Sequence, residues 1–351
     1  MLHNGVYFHS VSELEQRPGL PGLLLQRFPR EVREALSAKG RTKAAESSGC
    51  EIRFVTEAPY VRITLGAREK DGRVYVFRGD FFHCAYDLKA GTAVTLQLEE
   101  PERFAEVHRS ALQSGAFSSD VWRVYCDRFT AVFYDVDAFG YEVRPPHKAE
   151  MPQLTLLAYG SSITQGAGSL SHTDSYVQQA ARRLGIDALN LGLSGTCYCE
   201  KEAADHLARG SGWDAAFLEL GVNMRSVMDP PEFERRITYL LDEVTGRNPH
   251  KPVFVTTIYP NRATFFRDEE HVFTKRDLIF NDRLRRYVSD RNHPRLHLLE
   301  GSEIMTDFVS LTTDLIHPSD YGHIRMGENL ARLLEPVLTE LRTSIRETGG
   351  I

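Results

Sequence analysis

The sequence predicts an α/β protein: a three-layer domain on a five-stranded parallel sheet, preceded by an all-β sandwich. Three observations carry this. The chain has 351 residues, more than the roughly 100–200 of an ordinary single domain. Its first half alternates polar and apolar residues as half-buried strands do, while its second half alternates short apolar runs with helical patterns. Between them, Val143-Arg144-Pro145-Pro146-His147-Lys148 breaks both rhythms and reads as a linker. Domains are therefore expected at residues 1–147 and 148–351.

In the first half, strands are expected at residues 53–55, 60–65, 74–82, 93–98, 123–125 and 130–134. Lys70-Asp71-Gly72 ahead of the third is a hairpin signal. Short strands separated by turn residues make a β-sandwich. A helix is expected at about residues 30–38. In the second half, strands are expected at 154–159, 188–193, 215–220, 253–258 and 296–299. Helices are expected at 175–184, 201–208, 232–245, 275–291 and 321–345. Such alternation implies right-handed crossovers and helices on both faces of a parallel sheet. Ligands of these sheets bind beyond the carboxyl ends of the strands.

Composition excludes several classes of function. Hydrophobic residues are 42% and charged residues 26%, ordinary values for a globular protein, and the net charge is -6. An acidic chain is a poor partner for nucleic acid. No apolar run approaches the ~20 residues of a membrane span, and MLHNGVYFHSVSELEQ lacks the basic start and apolar core of a signal peptide. Five cysteines, Cys50, Cys84, Cys126, Cys197 and Cys199, are expected to be reduced thiols in the cytoplasm. Cys197-Tyr198-Cys199 is too tight for a zinc half-site and has no Cys/His partner pair at suitable spacing. Gly166-Ala167-Gly168 lacks the third glycine of a dinucleotide loop, since Ser171 stands there. No cofactor or metal is expected.

The residues after each predicted strand are small or hydrogen-bonding. They are Gly160-Ser161-Ser162, Gly192-Leu193-Ser194-Gly195, Gly221-Val222-Asn223 and Tyr259-Pro260-Asn261; Asp314-Leu315-Ile316-His317-Pro318 precedes the last helix. Ester cleavage needs a hydroxyl that loses its proton to a base, a carboxylate that holds the base in one tautomer, and donors waiting for the oxyanion. Ser162, His317 and Asp314 suit the first two needs. The backbone N–H groups of Ser162 and Gly195 and the amide of Asn223 suit the third. A histidine base acts when neutral, so activity is expected to rise with pH. Each feature alone has an ordinary structural reading, as a turn serine, a helix-capping aspartate or a turn asparagine.

Taken in order, these blocks resemble the SGNH (GDSL-type) hydrolases. Tyr159-Gly160-Ser161-Ser162-Ile163-Thr164 resembles the nucleophile block, Asn190 to Gly195 the second, Gly221-Val222-Asn223 the third, and Asp314-Leu315-Ile316-His317-Pro318 the Asp-x-x-His-Pro block. The likeness covers residues 153–341. It implies a flavodoxin-like catalytic domain and, for a two-domain subgroup reading Gly-Ser-Ser-Ile-Thr, a jelly-roll-like sandwich ahead of it. It also implies acetyl esters as substrates. Ser161 departs from the usual Asp before the nucleophile, and Met224 from the Asp that often follows the asparagine.

The resulting expectation is a serine esterase acting on short, acetyl, esters of a carbohydrate. Its partner would be a small-molecule ester or acetylated sugar, with neither nucleic acid nor membrane, and self-association is left open. Arg225, Tyr198 and Tyr259 are candidate substrate contacts, with Phe82, His172 and His323 behind them. Phe265-Phe266 and Phe273 are the nearest to a lipase-like lid. Ser161 and Ser194 are rival nucleophiles, but Ser194 lacks the second glycine of a Gly-x-Ser-x-Gly elbow. The alternatives are a lipase or thioesterase for longer acyl chains, and a non-catalytic carbohydrate-binding protein.

Overall fold

The computed structural model describes residues 1–210 and 212–348; the end of the expected second domain, 349–351, lies outside them. The chain divides into two compact units: Met1–Arg33 with Ala44–Gln153, and Glu34–Lys43 with Leu154–Ile351. The expected linker at 143–148 lies within the first.

The first unit is a sandwich of antiparallel sheets. One sheet has six strands in the order Leu2–His3, Val6–His9, Glu51–Phe54, Trp122–Cys126, Gly72–Arg78, Phe81–Leu88. The other has five, Glu13–Gln16, Leu23–Gln26, Ala131–Asp137, Tyr60–Ala67, Thr92–Glu99. Alternation sends one face of each inward: along Tyr60–Ala67, Val61 and Ile63 are buried while Tyr60 and Arg62 are exposed. Phe8, Ile52, Phe54, Val76 and Trp122 meet Ile63, Leu65, Leu98 and Phe133 in one core. Phe8 and Phe133 pack edge to face at 4.9 Å.

Three local expectations are corrected here. Lys70-Asp71-Gly72 does not close a hairpin, because the strands it joins belong to different sheets. The run 74–82 is two strands instead, folded at Gly79-Asp80 with Arg78 opposite Phe81. Gly79 has φ +59°, a turn conformation that glycine adopts without steric cost. The expected helix at 30–38 is also two short helices, Arg30–Ala35 and Ala38–Ala44. Ser37 starts the second by accepting the Gly40 N–H at 3.1 Å.

In the second unit five parallel strands, Thr155–Tyr159, Asp187–Asn190, Ala215–Glu219, Val253–Thr256 and Leu296–Leu299, lie in the order second, first, third, fourth, fifth. The strands are near-continuous apolar runs because helices cover both faces of such sheets; every residue of Ala215–Glu219 is buried. Between them run helices Tyr176–Leu184, Lys201–Arg209, Pro230–Arg247 and Val272–Arg291, and Asp320–Thr348 closes the chain. The boundaries follow local chemistry. Gly185 ends the first of these helices at φ +60°, and Asp229 caps the third by accepting the Glu232 N–H with proline just inside. The chain goes one way from the first strand to the second, then crosses back to the third on the other side. That switch opens a crevice beyond the carboxyl ends of the first and third strands. Among the described residues, no helix is long and apolar enough to cross a membrane.

Candidate active site

The first strand ends at Tyr159, and the chain turns sharply through Gly160-Ser161-Ser162. A Cβ at Gly160 would collide with the Thr164 hydroxyl and the Glu219 carboxylate, so only glycine permits this turn. The Ile163 N–H donates to Ser161 Oγ at 3.1 Å and the Ala167 N–H to the Ser162 carbonyl at 2.8 Å. These bonds fix the Ser162 backbone and leave its hydroxyl to one partner, His317 Nε2 at 2.8 Å.

His317 belongs to the loop before the last helix, 155 positions away. Its Nδ1 lies 2.6 Å from Asp314 Oδ2. A carboxylate accepts only, so Nδ1 carries the proton and Nε2 is left to accept from Ser162. The other Asp314 oxygen accepts from the Thr312 hydroxyl and from the backbone N–H groups of Ile316 and His317, at 2.8–3.0 Å. This three-residue turn needs Leu315 at φ +58°, a conformation costly for a branched side chain. Partial burial opposes the Asp314 charge, but the bonds from the His317 side chain, from the two N–H groups and from Thr312 outweigh it and hold the carboxyl well below its usual range.

Three loops are tied together above the sheet. The Leu193 N–H donates to the Gly160 carbonyl at 2.8 Å, and the Ser194 N–H to Gln165 Oε1 at 2.9 Å. Asn190 Nδ2 donates to the Thr164 carbonyl at 2.7 Å and its Oδ1 accepts the Gly192 N–H. Those bonds draw the chain out of the sheet, so the second strand stops at Asn190 and does not run on to 193. Asn223, after the third strand, accepts the Cys197 N–H on its Oδ1 at 3.1 Å, leaving Nδ2 as a spare donor. Among the described residues, neither Asn223 Nδ2 nor the N–H groups of Ser162 and Gly195 have an acceptor. Unpaired donors are rare inside proteins, and three on adjoining loops beside a serine–histidine pair form a place for an anion.

Residues 153–335 match the model of the GDSL-like lipase/acylhydrolase family. The chain belongs to this family. It is thus a GDSL-type ester hydrolase. No curated protein is significantly similar in sequence. Among solved structures, the salicylyl-acyltransferase SsfX3 of a tetracycline biosynthetic pathway superimposes with a TM-score of 0.76 at 16% identity, covering 95% of each chain. A GDSL-like lipase from Bacteroides ovatus gives 0.70 at 18%, over 95% of this chain and 96% of that one. A family two carbohydrate esterase from Clostridium thermocellum, in complex with cellohexaose, gives 0.61 at 15%, over 83% and 93%. At these identities the likeness is one of fold, a sandwich followed by the hydrolase domain.

The remaining candidates lie in different surroundings. Arg225 is buried, and its guanidinium is bonded to Asp277 and to Asn261 Oδ1, beneath the loop that carries Asn223. Tyr259 is buried and donates to the Tyr176 hydroxyl. Tyr198 is half-buried and donates to the Gly195 carbonyl at 3.2 Å, bracing that glycine. His323 is buried between the Tyr176 N–H and the Ala167 carbonyl, and His172 is buried as well. Phe82 is exposed on an edge strand of the sandwich, its ring against Phe77. Phe265 is exposed against Phe308, and Phe273 lies under the Arg225 guanidinium.

One residue of this region was not foreseen. Glu219 ends the third strand, wholly buried under the nucleophile turn; its Oε2 accepts the Ser161 N–H at 2.7 Å and the Thr164 hydroxyl at 3.1 Å. Its signal in the sequence was a single carboxylate inside the apolar run 215–220. It also accounts for Ser161: an aspartate there would set a second carboxylate against Glu219 in a dry site. Burial pushes the Glu219 carboxyl up to about 7, against hydrogen bonds from Ser161 and Thr164 and the nearby His317 that lower it.

The consequence for stability follows from linkage. The folded state holds this proton to a higher pH than the unfolded chain, so stability owed to Glu219 falls between about pH 4.5 and 7 and is level above. The difference is on the order of 3 kcal/mol. Glu219→Gln keeps an acceptor without the charge. Its melting temperature relative to wild type is expected to be more favourable at pH 8 than at pH 5. A gap independent of pH would reject the buried, titrating carboxylate.

Proposed function

We propose that the protein is a serine esterase that removes short, acetyl, groups from a carbohydrate. The observation that carries this is the hydrogen-bonded series Ser162–His317–Asp314 set beside three donors with no acceptor of their own. His317 Nε2 takes the Ser162 proton as Oγ attacks the ester carbonyl, and Asp314 stabilises the imidazolium that forms. The carbonyl oxygen, now anionic, accepts from the Ser162 and Gly195 N–H groups and from Asn223 Nδ2. His317 then gives its proton to the departing alcohol. Water, deprotonated by the same nitrogen, attacks the acyl-enzyme and releases the acid, returning Ser162 to its hydroxyl form.

The acetyl group and the sugar are supported by the resemblance of the sequence and by a fold shared with a carbohydrate esterase. The cytoplasm is the compartment that five free thiols suit, four of them buried.

A chain-length series of p-nitrophenyl esters followed by a panel of acetylated sugars tests this reading. Fastest turnover with acetate and with acetylated sugars is expected. Preference for long chains would replace it with a lipase or thioesterase, and sugar binding without hydrolysis with a binding protein. Asn223→Ala is expected to lower kcat by about 10²–10³, the usual cost of one oxyanion donor. An unchanged kcat would remove Asn223 from the oxyanion site.

A further inference from the structure

The short helix Ala38–Ala44 comes from the N-terminal part of the chain, yet Glu34–Lys43 belongs to the compact unit that holds the catalytic residues. Its Lys39 reaches Gly195. A Cβ built on Gly195 would stand 2.6 Å from Lys39 Nζ and 3.2 Å from Cε, with no other group within 4 Å. The ammonium therefore lies against the glycine whose N–H has no acceptor. Lys39 itself has no carboxylate partner and no other polar partner among the described residues. Two other cations of this unit are committed: Arg225 is bonded to Asp277, and Arg276 to the Arg225 carbonyl. The same short helix carries Arg41 and Lys43 and no acidic residue in its first turn, so the ammonium stands in a locally basic setting within a protein of net charge -6.

We propose that Lys39 is a specificity-determining residue that selects esters whose alcohol part carries an anion, a carboxylate in the first instance. This rests on the esterase reading and narrows its substrate to acetylated acidic sugars or molecules of like charge. The acetyl group is too small to bear the charge, so the anion is on the alcohol. A solvent-exposed cation at the rim of a site acts mainly on capture and on its salt dependence. Position 195 also favours glycine for a backbone reason, since its φ of +69° is one that side chains rarely adopt.

Two acetyl esters of nearly equal shape differ in charge on the alcohol part, 4-acetoxybenzoate and its neutral methyl ester, and the change in their ratio between variants cancels their different leaving-group reactivity. Relative to the uncatalysed hydrolysis rates, wild type is expected to favour the anionic ester in kcat/KM, and salt to erode the preference. Lys39→Met should lower the anionic-to-neutral ratio about fivefold, and Lys39→Glu should lower it further. An equal loss on both esters, or no change in the ratio, overturns the assignment. Binding of the same two esters to Ser162→Ala, with and without Lys39→Met, is measured by calorimetry as a readout that needs no turnover. Charge-selective binding that depends on Lys39 without hydrolysis in wild type would sink the esterase reading alone. Equal binding of the two esters would sink the Lys39 proposal alone.

Discussion

Ser162→Ala is expected to abolish ester hydrolysis, lowering kcat by a factor on the order of 10³–10⁶ while the protein remains folded. Among the described residues, Ser162 Oγ hydrogen-bonds to His317 Nε2, and no other hydrogen bond depends on that oxygen. Removing it leaves a buried alanine in an otherwise intact turn, so the melting temperature should change little. Residual activity above the uncatalysed rate would come from the three oxyanion donors and from binding. The assay is steady-state hydrolysis of p-nitrophenyl acetate, with mass spectrometry of the wild-type acyl-enzyme after rapid quenching. Substantial turnover in the variant, or an adduct on Ser161 or Ser194, would move the nucleophile elsewhere. The neighbour Ser161 is poorly placed to take over, because its N–H is held by Glu219 and its Oγ accepts the Ile163 N–H.

Asp314→Asn is expected to cost about 10⁴ in kcat with KM little altered. Asp314 performs two tasks with its two oxygens. Oδ1 accepts three hydrogen bonds that hold the 312–317 loop, while Oδ2 accepts from His317 Nδ1. An asparagine keeps Oδ1 as the loop's acceptor and presents its NH₂ group to Nδ1. The ring must then accept at Nδ1 and carry its proton on Nε2, where it can no longer take one from Ser162. Geometry survives and the base is lost. Thermal unfolding of the variant alongside its kinetics separates this from loop collapse. Near-normal kcat in a folded variant would remove Asp314 from the reaction.

Much of the fold was legible because its determinants are local. Buried parallel strands are near-continuous apolar runs, and the five runs from 154–159 to 296–299 read as such apart from a few polar positions such as Asn190, Glu219 and His297. Helix ends are written in caps, such as Asp229 with Pro230 and Gly185. The sandwich was legible as alternation, but its pairing was not. Lys70-Asp71-Gly72 has the composition of a hairpin turn and in fact carries the chain from one sheet to the other. A turn's sequence specifies its own backbone angles, whereas the partner of the next strand depends on which face finds the core. The helix expected at 30–38 failed for a related reason. Ser37 offers a cap that no pattern of apolar residues reveals.

The candidate site divides in the same way. Ser162, Gly195 and Asn223 were read from short strings after strands, which the sheet topology brings to one edge, and Asp314 and His317 from the loop before the last helix. Arg225 and Tyr259 were read from the same loops, and the structure turns their side chains into buried networks with Asp277 and Tyr176. Direction of a side chain is not encoded in its neighbours along the chain. Glu219 and Lys39 stood outside every motif, one inside an apolar strand, the other in an N-terminal helix.

The sequence by itself determined the hydrolase family, because its blocks leave short local traces at three strand ends and in the loop before the last helix. Only the tertiary structure decided what surrounds that chemistry: the carboxylate of Glu219 beneath the turn and the uncommitted ammonium of Lys39 beside Gly195. Burial and charge at a point are sums over groups far apart in the chain, and those sums exist only once the chain has folded.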